Sequence, residues 1–80
     1  MNDYIVTITF IEHKINPKKI IEIIKRNVGM LVENEDLDII GNKMFWKFSS
    51  ADFDVKTNVN EFIKSMFIEG SVVGGKIEDR

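Results

Sequence analysis

The order in which hydrophobic periods succeed one another limits the fold of this chain more than any single motif does. From Tyr4 to Ile11 apolar and polar residues alternate: Tyr4, Val6, Ile8 and Phe10 share one face, and Ile5, Thr7, Thr9 and Ile11 the other. Period-two spacing in β-branched and aromatic residues predicts a strand. After the connection Glu12-His13-Lys14-Ile15 the period changes to that of a helix. Asn16 can cap the first free N–H groups, Pro17 suits the first helical position, and Gly29 is a natural stop. Over Asn16 to Gly29, residues Ile20, Ile23, Ile24 and Val28 fall on one side, with Ile21 at its edge. Lys18, Glu22, Lys25 and Arg26 fall opposite.

Two further strands are predicted between Leu37 and Ser50, with Met30-Leu31-Val32 as a possible earlier start of the first. Gly41-Asn42 is a suitable two-residue hairpin turn, with Gly at the position that needs a positive φ. That register sets Ile39 opposite Met44, Leu37 opposite Trp46, and Asp36 opposite Lys47. It would also turn Glu35 inward opposite Phe48, so a bulge or turn is expected there. A second amphipathic helix follows from Asp54 to Gly70, capped by Asp52 or Asp54, with Val55, Val59, Phe62, Ile63 and Met66 inward. A Val-rich strand from Ser71 to Ile77 ends the series, with a bulge or bend expected at Gly74-Gly75.

Strand, helix, two strands, helix, strand is the βαββαβ order of the ferredoxin-like α+β fold. It implies a four-stranded antiparallel sheet with two helices on one face. The predicted core is Val6, Ile8, Phe10, Ile20, Ile24, Leu37, Ile39, Trp46, Phe48, Val59, Phe62 and Met66. With 80 residues, one domain spanning 1–80 is expected, near the size at which a single core folds without a staple. Hydrophobic residues at 44% and charged ones at 30% fit a globular chain rather than a disordered one. The chain has no cysteine, so disulfides and thiolate metal sites are excluded, and a reducing cytoplasmic setting is expected. No apolar run approaches the roughly 18 residues of a membrane span. The N-terminus has no basic segment followed by an apolar core, so neither a signal peptide nor a membrane association is expected.

Such a fold carries many functions, so function must be sought in particular side chains. His13 is the only histidine, in a connection, with no recognisable nucleophile to accompany it. Glu12-His13-Lys14-Ile15-Asn16 lacks the Arg that an acylphosphatase-type phosphate loop needs. No Gly-rich phosphate loop, nucleophile elbow or Ca²⁺-loop pattern occurs. No enzymatic activity, no cofactor and no metal are expected.

The net charge of −2 is unevenly spread: residues 31–54 hold two basic and six acidic side chains. Glu33, Glu35, Asp36 and Asp38 form the sharpest charge cluster, a candidate acidic docking patch for a basic partner. Lys18, Lys19, Lys25 and Arg26 make a basic helix face. RNA binders of this fold stack bases on aromatics of the central strands. Phe45 with Lys47 could supply half of such a platform, but the marker basic-Gly-aromatic-Gly run is absent. Nucleic-acid binding is thus the alternative function, disfavoured by the acidic middle of the chain.

The leading surface is the sheet face away from the helices. Ile5, Ile11, Ile40 and Phe45 are expected there, four large apolar residues on an otherwise open face. A partner or homodimer interface accounts for them.

The succession Ile8-Thr9-Phe10, then Ile15-Asn16-Pro17-Lys18-Lys19-Ile20, then Trp46-Lys47-Phe48-Ser49-Ser50 resembles a bacterial family of unknown function often linked to toxin-immunity loci. The chain is shorter than that family and lacks its second Pro and its Lys-Gly stretch. The resemblance implies a small binding protein, an immunity or inhibitor protein acting by surface occlusion, with no catalytic residue to carry over.

Overall fold

In a computed structural model that describes residues 1–80, the six elements follow the expected order. They are β1 (Asn2–Phe10), α1 (Pro17–Val28), β2 (Glu33–Ile40), β3 (Lys43–Ser50), α2 (Val55–Glu69) and β4 (Val72–Asp79). The strands form one antiparallel sheet in the order β2-β3-β1-β4, so β1 and β3 are central. With both helices on one side, this is the ferredoxin-like arrangement. The strand alternation explains the layering. Tyr4, Val6, Ile8 and Phe10 of β1 and Met44, Trp46 and Phe48 of β3 point to the helices and are buried. Each such side chain contributes about 1.5–3 kcal/mol when fully removed from water.

Local chemistry sets the element ends. The Lys18 N–H donates to Asn16 Oδ1 at 2.9 Å, and the Gly29 N–H donates to the Lys25 carbonyl. Asp54 sits at the N-cap of α2 without a side-chain cap bond. Asp52, the other expected cap, instead accepts from the Leu31 N–H at 3.2 Å and so ties the loop after α1 to the loop after β3. Ser50 joins the same knot, its hydroxyl donating to the Leu31 carbonyl at 2.9 Å. The hairpin turns at Gly41, whose φ of 61° is the positive value a first turn position of this kind requires. The pairs Ile39 with Met44, Leu37 with Trp46 and Asp36 with Lys47 are all present.

Both expected irregularities occur. Glu33 pairs with Ser49 and Asp36 with Lys47, so Asn34 and Glu35 together oppose the one residue Phe48. Asn34 takes a φ of 55° to make the bulge. In β4 the extra residue is Val73, one position before the glycine pair, since Thr9 pairs with Gly74 and Phe10 with Val72. Gly75 lets α2 come close to the sheet: a Cβ there would lie 3.0 Å from Ile63 Cγ2, Ile8 Cγ1 and the Thr7 carbonyl oxygen.

Three residues of the predicted core are less buried than expected. Ile39 is 47% exposed and Leu37 is half-buried, because β2 is an edge strand beside an open groove next to α1. Phe62 is also half-buried, packed on the core from the seam between the helices. Tyr4, Ile21, Met30, Met44, Val72 and Ile77 complete the core in their stead, with Val55 and Ile63 from the predicted helix stripe. No helix is long and apolar enough to cross a membrane. The chain ends lie side by side, the Arg80 N–H donating to the Asp3 carbonyl at 3.0 Å.

Candidate interaction surface

The register fixes what stands beside what on the sheet face that the helices leave open. Because Val6, Ile8, Trp46 and Phe48 point to the helices, Ile5, Thr7 and Thr9 of β1 and Lys43, Phe45 and Lys47 of β3 point away. One row across the sheet reads Asp36, Lys47, Ile5, Glu78, from β2 to β4. The next reads Asp38, Phe45, Thr7, Lys76, and the third Ile40, Lys43, Thr9, Gly74. Ile40, Phe45 and Ile5 therefore step diagonally across three neighbouring strands. Diagonal neighbours lie about 7–8 Å apart, within reach of an aromatic ring. Ile40 is 69% exposed, and Ile5 and Phe45 are half-buried.

Ile11 does not join them. It lies past the end of β1, where its carbonyl accepts from the Lys14 N–H at 3.2 Å in a turn. The alternation that assigned it to this face stops at Phe10, which donates its N–H to the Asn42 carbonyl at the last rung of the sheet.

The acidic cluster is divided by the sheet. Asp36 and Asp38 are on the open face, opposite Lys47 and Phe45, and Glu33 stands opposite Ser49 beyond the bulge. Glu35 turns to the helix side, where Oε1 accepts from Lys25 Nζ at 3.0 Å and from Trp46 Nε1 at 3.1 Å. The four carboxylates thus do not form one docking patch. Lys25 is correspondingly withdrawn from the basic helix face, while Lys18, Lys19 and Arg26 remain exposed.

His13 sits at a φ of 66° on an open cleft of about 620 Å³, lined also by Phe10, Glu12, Ile15 and Ile39. No group of three or more His, Asp or Glu side chains is placed to hold a metal ion. On the outer edge of β4, Lys56 Nζ donates to Asp79 Oδ2 at 2.9 Å, a bond that raises the lysine pKa above its ordinary value.

Two exposed apolar groups escaped the sequence reading. Leu31 (81% exposed) and Phe53 (93%) crown the Asp52 knot at one end of the molecule. Phe67 and Val73 border a groove between α2 and β4. The signal for the first was a large apolar residue in the possible early start of β2, Leu31, and another in the predicted connection before α2, Phe53, where no periodicity assigns a face.

With this geometry in hand, no protein-family model, no curated protein and no solved structure matches the chain.

Proposed function

We propose that this chain is a small non-catalytic protein-binding module whose contact surface is the open sheet face, acting in the cytoplasm as an immunity or inhibitor protein that covers part of its target. The observation that carries the reading is the diagonal Ile40, Phe45, Ile5, apolar side chains on a face that no element of the chain covers. Aromatic and aliphatic residues ringed by charge are the composition of a protein contact centre. The partial likeness to a family linked to toxin-immunity loci gives the same direction.

One observation favours nucleic acid as a second reading: Lys43, Phe45 and Lys47 alternate on this face along a central strand. Against it, Asp36 and Asp38 stand on the neighbouring strand, and β1 presents no outward aromatic. Affinity capture with the wild type and with Phe45→Glu, at low and high salt, separates the two. A protein retained by the wild type, lost with Phe45→Glu and weakly dependent on salt supports the proposal. Recovery of RNA whose binding collapses as salt rises would replace it with the second reading.

A further inference from the structure

The three apolar residues of the open face lie on a line, and the charges on either side of that line are opposite in sign. On one flank Asp38 sits beside Phe45 on β2, and on the other Lys43 sits beside Ile40 on β3. We infer that the open face closes on a second copy of this chain about a two-fold axis along Ile40–Phe45–Ile5, with Asp38 of each copy meeting Lys43 of the other. The inference rests on the reading of this face as a contact surface; a second copy and a target would compete for it, so the dimer must open before a target is covered.

The choice of axis follows from the rows. A two-fold axis in the plane of the face must exchange positions across itself, because the contact is self-complementary. An axis parallel to the strands, between β3 and β1, lays β2 over β4 of the second copy and sets Asp36 against Glu78. An axis across the strands through the Phe45 row sets Asp38 against Asp38, Lys76 against Lys76 and Lys43 against Lys47. The first also sets Asp38 against Lys76, but it places Ile5 on Lys47 and Ile40 on Gly74. The second places Ile5 on Thr9 and Ile40 on Asp36, so neither brings the apolar side chains together.

The diagonal axis exchanges Asp38 with Lys43, Lys47 with Thr7, and Asp36 with Thr9, while Ile40, Phe45 and Ile5 stay on the line. Arg80 is the next position on the same line by alternation, between Asp3 and Glu78. At that end the axis sets Asp3 of each copy against Glu78 of the other, with the two Arg80 residues on the line between them.

Strands are about 4.8 Å apart and alternate residues about 6.8 Å apart, so the line runs at about 35° to the strands. Two sheets related by it cross at about 70°, nearer to the orthogonal class of sheet packing than to the aligned one. An ordinary dimer takes about 800 Å² from each partner. The molecule exposes 5014 Å², and the open face is one of the two broad faces of a two-layer fold.

The test uses charge exchange and light scattering at micromolar concentration, with thermal melts to establish that each variant is folded. The wild type should have the mass of a dimer. Asp38→Lys sets lysine against lysine, and Lys43→Asp sets aspartate against aspartate. Each variant alone should therefore weaken the dimer about ten-fold or more. An equimolar mixture of the two should recover dimer mass, because both cross-axis pairs are then opposite in sign. A change within one molecule cannot produce that recovery.

A monomeric wild type, a dimer indifferent to both substitutions, or a mixture that stays monomeric would overturn the inference. Phe45→Glu distinguishes this failure from failure of the broader reading. If it abolishes target capture while the wild type is monomeric, the face is a contact surface for another protein only. If it alters neither capture nor mass, the face is not a contact surface.

Discussion

Glu35 is the one carboxylate between Glu33 and Asp38 that turns toward the helices, and Trp46 gives the reason. The indole ring is fully buried, and its N–H must find an acceptor there. Glu35 Oε1 supplies it at 3.1 Å, and Lys25 Nζ holds the same carboxylate from α1 at 3.0 and 3.2 Å. Glu35→Ala would leave the indole N–H without its partner, at a cost of about 1–3 kcal/mol. Glu35→Gln keeps an acceptor for the indole and loses only the half-exposed ion pair, so its loss should be smaller. Urea denaturation followed by the emission of Trp46, the single tryptophan, ranks the two variants; equal midpoints would deny the bond its role. The sequence disclosed half of this. Alternation counted back from the hairpin turned Glu35 inward and called for a bulge, but it could not say where an inward carboxylate would be satisfied. The donors come from another strand and from a helix, and only the packed structure brings them together.

Among the elements, β4 shows how a single missing Cβ sets a helix height. Gly75 leaves room for Ile63 and Ile8 to meet against the Thr7 carbonyl, and a methyl group would stand 3.0 Å from all three. The carbonyl is backbone and cannot rotate aside, so Gly75→Ala should destabilise the fold by about 1–3 kcal/mol. Gly74, its neighbour, would meet nothing within 4 Å, and Gly74→Ala should be neutral or slightly stabilising through the unfolded chain. Thermal melts of the pair check this; matching melting temperatures would mean that α2 does not rest on Gly75. Element identity and order were readable because each element carries its own period and its own end signals, from Asn16-Pro17 to Gly70. The depth of burial was less readable. Alternation places Leu37 and Ile39 on the helix side correctly, yet it has no term for β2 being the outermost strand, where a side chain on the correct face is still half in water. Ile11 fails for a related reason, since the pattern runs one residue beyond the last rung of the sheet.

At the scale of the whole molecule, β1 is the hub. It pairs with β3 on one side and with β4, the last strand, on the other, so the sheet closes only when the two ends of the chain come together. The apolar diagonal was legible only in part. Its members could be named from their faces, but their alignment on one line depends on two registers at once, and the β1–β3 register joins strands with a helix and another strand between them. The meeting of the ends has its own consequence. With Arg80 hydrogen-bonded to Asp3, a few glycines and serines would link residue 80 to residue 1 without strain. The chain could then be opened at Gly41-Asn42, an exposed turn outside every strand. In such a circular permutant β4 and β1 become a hairpin and β2 and β3 become the two terminal strands. The β1–β4 contacts would become local while the β2–β3 contacts become the most distant in sequence, so the change in refolding rate reports which of the two pairings limits folding. Stopped-flow refolding of the permutant beside the parent measures that difference. A permutant that fails to regain the parent's far-ultraviolet circular dichroism would mean that the Gly41 turn is needed for more than joining two strands.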